Sequence, residues 1–149
     1  MNFQCAGITF GTVNGIGISL EIFFSGCKHD CSCCQNPELQ NFSYGTRIDT
    51  DIVLAHLEKY NDFYNSIVFT GGDPLYQPKA LYSIASNCNI PRILYTGFLY
   101  EEIPDYIKNV IDVIIDGPYI QELATDGFPA SRNQHIWEHN NLTNIDFRK

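Results

Sequence analysis

Basic residues are scarce in this chain, and long apolar runs are missing. Nine lysines and arginines stand against seventeen aspartates and glutamates, a formal charge of −8. That balance argues against a nucleic-acid partner, which needs a basic face to meet its phosphates. No stretch comes near the roughly twenty consecutive apolar residues of a membrane-spanning helix, so no membrane partner is expected. The chain opens Met1-Asn2-Phe3-Gln4-Cys5 with no basic, apolar leader, and the expected location is cytoplasmic rather than secreted. Repeats, low-complexity tracts and linkers are also lacking. At 149 residues, 44% of them hydrophobic, we expect one domain over residues 1–149 whose core needs no staples.

Cysteine, by contrast, is plentiful. Six cysteines without a secretory leader suggest a reducing compartment and metal or redox chemistry. Four of them sit in Ser25-Gly26-Cys27-Lys28-His29-Asp30-Cys31-Ser32-Cys33-Cys34-Gln35-Asn36-Pro37, where Cys27, Cys31 and Cys34 form a C-x3-C-x2-C pattern. Three thiolates this close can face one inorganic centre if the backbone loops around it. A cubane cluster ordinarily takes four cysteines, so three leave one iron open, as an open position marks catalytic zinc sites. Blander readings stand beside this one, among them a disulfide-stapled secreted module, which the missing leader disfavours. A zinc ion could take Cys33 or His29 as fourth ligand, or borrow His135 and His139 at H-x3-H spacing, although about a hundred residues intervene where a finger has about a dozen. A four-thiolate cluster using Cys33 is awkward, because adjacent side chains point in different directions in most backbones. His29 reads as a packing or hydrogen-bonding residue.

The remainder alternates strand and helix. Residues 16–24 read as a strand with Ile18, Leu20, Ile22 and Phe24 on one face and Ser19 and Glu21 on the other, after the turn Val13-Asn14-Gly15-Ile16-Gly17. The cysteine loop therefore follows the first long strand, at the end where α/β folds build sites. A helix capped by Asp49 or Thr50 runs to about Tyr60. Ser66–Thr70 is a buried parallel strand, and a helix follows over about Lys79–Ser86. Ile90–Gly97 is strand and turn, Glu101–Asn109 a helix with Pro104 near its first turn, and Val113–Pro118 strand and turn. Residues 120–124 read as a short helix, and His135-Ile136-Trp137 as a last strand. This pattern predicts right-handed βαβ crossovers with about five strands, too few for a closed barrel of eight.

Glycines end several of these strands. Gly71-Gly72-Asp73-Pro74 follows one directly: the glycines allow close backbone approach, while Asp73 and Pro74 also fit a plain cap and first helical turn. Thr96-Gly97 and Asp116-Gly117 end two more strands, and Arg132-Asn133-Gln134 offers a guanidinium and two amides. Each taken alone is an ordinary turn or loop.

Taken in order, Val13–Gly17, Ser25-Gly26-Cys27 with Lys28-His29-Asp30-Cys31, Cys34-Gln35-Asn36, Thr70–Leu75, Tyr95-Thr96-Gly97-Phe98, Asp112–Gly117 and Arg132-Asn133-Gln134 resemble the anaerobic (class III) ribonucleotide reductase activating proteins. These belong to the radical S-adenosylmethionine (SAM) enzymes, whose motif is C-x3-C-x2-C. The chain departs from them at Cys33 and Gln35, where the family has glycine and an aromatic, at Ile16, where proline is usual, and before Asn133. The resemblance implies a small partial (β/α) barrel with a mostly parallel sheet. It implies a [4Fe-4S] cluster on Cys27, Cys31 and Cys34, with SAM on the fourth iron. Cys33, Cys34, Gln35, Gly71, Gly72, Asp73, Thr96, Asp116 and Arg132 are then the expected SAM contacts. It further implies that an electron from a flavodoxin-like donor splits SAM to a 5′-deoxyadenosyl radical, which takes hydrogen from a glycine of the reductase large subunit. No side chain is assigned a catalytic role, because cluster and SAM carry the chemistry. The alternatives are an activase of a pyruvate formate-lyase type enzyme, or a non-catalytic iron–sulfur or zinc module.

Overall fold

Short, unbroken apolar runs suit strands covered on both faces. In the computed structural model, which describes residues 1–31 and 33–149, four parallel strands make the centre of one open sheet: β2 (Ser19–Phe24), β4 (Ser66–Gly71), β5 (Arg92–Tyr95) and β6 (Val113–Asp116). Antiparallel strands flank them, β1 (Asn2–Gly11) and β3 (Thr46–Asp49) on one side, β7 (His135–Glu138) and β8 (Asn141–Thr143) on the other. The strand order is β3-β1-β2-β4-β5-β6-β7-β8.

Alternate side chains explain both covers. Leu20, Ile22, Phe24, Ile67, Phe69, Leu94 and Ile114 face the three helices α1 (Thr50–Lys59), α2 (Pro78–Ser86) and α3 (Asp105–Lys108), meeting Val53, Leu81, Ile84 and Ile107 in the larger core. Val68, Ile93, Val113 and Ile115 point the other way, where Ile16, Phe128 and Phe147 cover them. Among the described residues none of the three α-helices lies on that second face. It is roofed by the segment before β2 and by the chain after β6, and this leaves room for a cavity. No helix among the described residues is long and apolar enough to cross a membrane.

The α/β class and most element positions match the sequence reading, with four corrections. The sheet has eight strands rather than about five, and four of its seven pairings are antiparallel, so it is not mostly parallel. β1 escaped notice because its outer half is exposed at Ile8 and Phe10 and shows no clean alternation. Residues 16–18 precede β2 instead of starting it, with Ile16 packed on the second core, and because β1 comes first the strand before the cysteine loop is the second in the chain. The helix expected over 101–109 is broken at Pro104 into a 3-10 turn, Tyr100–Glu102, and α3, because the residue before a proline is driven out of helical geometry.

The two faces of the helical layer differ in energetic weight. Ile84→Ala in α2 should cost about 2–5 kcal/mol in a denaturant melt, since Ile84 is fully buried. Ile52→Ala in α1, on an exposed side chain, should stay within about 0.5 kcal/mol of the parent.

Candidate functional site

The cysteine loop leaves β2 and is fastened at both ends. Ser25, fully buried, donates through Oγ to Tyr44 O at 2.6 Å. Gly26 holds a φ of +102° under the Phe42 ring, where a side chain would collide. Gly26 N and Cys27 N donate to Leu39 O and Gln40 O of a 3-10 turn, Pro37–Gln40, anchored by buried Leu39. Between these anchors Asp30 and Cys33 adopt positive φ of 52° and 59°, and Cys34 N donates to Cys31 O. The loop thus curls back on itself, and Cys27, Cys31 and Cys34 all line one cavity.

That cavity, about 330 Å³, opens at the C-terminal ends of the parallel strands on the face without helices. Its volume lies within the range of small-molecule sites. Gly71 and Gly72 come to it from β4, Tyr95, Thr96 and Gly97 from β5, and Gly117 from β6. Behind this wall lies Asp73, with no exposed surface. It caps a 3-10 turn by accepting from Leu75 N, and it accepts also from Thr96 Oγ1 at 2.9 Å and Gly97 N at 2.8 Å. His29 of the cysteine loop donates from Nε2 to the same carboxylate at 2.7 Å. Gly97 has no side chain because the His29 ring lies on it: a Cβ there would stand 2.5 Å from Cδ2.

Burial changes the thiols themselves. Desolvation, reinforced by the neighbouring Asp73, Cys31 and Cys34 charges, pushes the Cys27 thiol up to about 11, against the pull of the His29 N–H bonded to its sulfur. Cys31 is raised for the same leading reason. The Cys27 thiol thus feels Cys31 and Cys34, and a cation among the three would relieve that repulsion.

The expected site residues divide into two groups. Cys27, Cys31, Cys34, Gln35, Gly71, Gly72 and Thr96 line the cavity together. Asp73 and Asp116 stand behind its wall, Asp116 accepting from Tyr100 N and His135 N where β6 meets β7. Cys33 and Arg132 are exposed and lie outside the lining. Among the lining residues that carried no signal of their own are Asn14, read as part of a turn, Phe128, and Arg148, next to the C-terminal Lys149.

A family model, the 4Fe-4S single cluster domain, matches residues 13–137. The chain is also 33% identical over 138 residues to the anaerobic ribonucleoside-triphosphate reductase-activating protein of Enterobacteria phage T4, covering 84% of this chain and 86% of that one. The chain belongs to this family. The Vibrio cholerae member is 30% identical over 139 residues, 83% of this chain and 90% of its own. The pyruvate formate-lyase-activating enzyme of Clostridium pasteurianum is 29% identical over 128 residues, but this chain spans only 52% of its length. An iron–sulfur cluster and SAM are the cofactors of such enzymes. The residues fit them: three thiols around one cavity supply a donor set with one corner left over, and the glycine strand ends leave the space that side chains would fill.

Gly72, which lines the cavity, also makes room for the chain itself. A Cβ there would lie 2.5 Å from both Gly26 O and Leu39 O, so the close approach it permits is that of the cysteine loop's own backbone. Gly72→Val should therefore abolish iron uptake on anaerobic reconstitution, beyond any loss of SAM affinity, whereas Gly7→Ala, with nothing within 4 Å, should take up iron as the parent does. In the cluster-free protein at pH 8, iodoacetamide should label Cys27 far more slowly than it does in urea, with labelling rising as pH approaches 11.

Proposed function

We propose that this chain is a radical SAM activase that installs a glycyl radical on an anaerobic ribonucleotide reductase. The observation that carries the proposal is the convergence of Cys27, Cys31 and Cys34 on a cavity walled by glycine strand ends. In this reading the three cysteines hold a [4Fe-4S] cluster, and Gln35, Gly71, Gly72 and Thr96 bear on SAM, with Asp73 and Asp116 fixing the wall from behind. When bound, the cluster and SAM supply reductive cleavage of a C–S bond and, from it, a carbon radical strong enough to take hydrogen from glycine.

The chain's own residues position and shield. The His29–Asp73 contact ties the thiol-bearing loop to β4 and β5. Tyr95, Tyr119 and Phe128 give the cavity an aromatic wall, which keeps water from a reactive carbon centre. No side chain needs to move a proton. The arrangement suits a partial barrel acting as one unit over residues 1–149, fed by a flavodoxin-like reductant in the cytoplasm. A glycyl-radical partner of the pyruvate formate-lyase type is the second reading, favoured by the Clostridium pasteurianum match.

Serine at Cys27, Cys31 or Cys34 should remove the cluster from a protein that otherwise binds about four irons, while Cys33→Ser should keep it and most SAM cleavage. Iron content, 5′-deoxyadenosine and the glycyl EPR signal on each candidate partner are the measurements. Radical formation on a pyruvate formate-lyase but not on the reductase would reverse the choice of partner, and stoichiometric zinc without iron would refute the activase.

A further inference from the structure

Arg148 enters the cavity wall from the chain after β8. Its guanidinium carries five N–H groups, and three are taken by the protein. Nε and Nη2 donate to the two oxygens of Asp146 at 2.9 and 2.8 Å, and Nη1 donates to Val13 O at 3.0 Å. Its carbon centre stacks 3.9 Å from the Phe128 ring, which packs edge-on against buried Phe147. The head group is therefore held in place before any ligand arrives, and its ordering entropy is already spent. The Val13–Asn14 segment it grips is itself fixed from the other side, since Tyr95 Oη donates to Asn14 O at 2.7 Å.

Two N–H groups remain without an acceptor among the described residues, on a side chain 24% exposed. Their complement is not an anion. The bidentate pair with Asp146 balances the charge: the Arg148 hydrogen bonds hold the Asp146 carboxyl below its ordinary range, and Asp146 in turn raises Arg148. Glu21, nearly buried, adds a further negative charge on the same face of the sheet. A second carboxylate would arrive beside Asp146 unbalanced, whereas an uncharged oxygen gains two directed donors at no such penalty.

We propose that Arg148 is a binding residue of this cavity that receives an uncharged oxygen acceptor, a ribose hydroxyl of the cofactor or a main-chain carbonyl of the protein substrate. This rests on the activase reading above. A fork of donors is required, so a lysine, although cationic and long enough to lie over Phe128, replaces it poorly.

Cluster-reconstituted parent, Arg148→Lys and Arg148→Met are compared for SAM affinity by equilibrium dialysis and for reductase affinity by fluorescence anisotropy. Both variants should lose about tenfold for one of the two ligands. Loss toward SAM assigns the acceptor to the ribose, and loss toward the reductase with SAM unchanged assigns it to the peptide carbonyl. A readout that needs no variant accompanies these: phenylglyoxal labelling of Arg148 in the parent, followed by mass spectrometry, should be slowed by one of the two ligands. Parental affinities in a folded Arg148→Lys protein, or labelling that neither ligand slows, would overturn the assignment. A parent that cleaves SAM and yields the glycyl radical while these tests fail would refute Arg148's role alone; a parent that does neither would refute the activase reading instead.

Discussion

The site depends on one buried carboxylate. Asp73 has no exposed surface, and a carboxylate in that position costs several kcal/mol unless its oxygens are met by donors. Four groups meet it: Leu75 N, the Thr96 hydroxyl, Gly97 N and His29 Nε2. Hydrogen bonds to a charged group are each worth about 1.5–3 kcal/mol, and a missing one leaves the penalty standing. Three segments far apart in sequence are thereby obliged to meet at one point. The cysteine loop cannot shift away without orphaning the carboxylate, and the strand ends cannot separate without doing the same. None of these bonds involves a thiol, so the cradle is a property of the cluster-free fold.

The glycines around that carboxylate serve the same convergence. Gly71 holds a φ of +121° against the Phe24 backbone, Gly72 admits the Gly26 and Leu39 carbonyls, and Gly97 lies under the His29 ring. From sequence they resembled places cleared for a ligand. They are cleared first for other parts of the chain, and the ligand space is what remains in front of them. This is why Gly-Gly-Asp-Pro was equally readable as a turn and as a site. It is both, because Asp73 caps the next turn with one oxygen and ties in the His29 loop with the other.

Local signals in the sequence were reliable where one interaction decides the outcome. The cap of α1 at Asp49, one of the two residues expected there, the helix over about Lys79–Ser86 and the apolar run of β4 all lie where residue type alone put them. The reading failed where long-range pairing decides. β1 is held by its neighbours β2 and β3 rather than by its own alternation, and the C-terminal hairpin of β7 and β8 turns through His139 and Asn140 at positive φ, a turn no glycine announced. Arg148 illustrates the same limit within the site. Nothing in Ile-Asp-Phe-Arg-Lys marks a cavity residue, because its place depends on Phe128 and Val13, partners remote in the chain.

The positions of the histidines bear on which inorganic centre the loop is built for. A zinc site would need a fourth ligand near the three thiols. His29 has its Nε2 committed to Asp73. His135 and His139 do not form a pair despite their spacing: His135 sits by Asp116 at the upper end of β6, and His139 sits by Asp112 below its lower end. The strand between them extends the chain and carries the two rings apart, where a helix would have stacked them on one face. Cys27, Cys31 and Cys34 instead line one cavity. A cubane takes one thiolate at each of its irons, so three cysteines lining one cavity with no histidine free beside them suit it better than they suit a tetrahedral ion with four protein ligands.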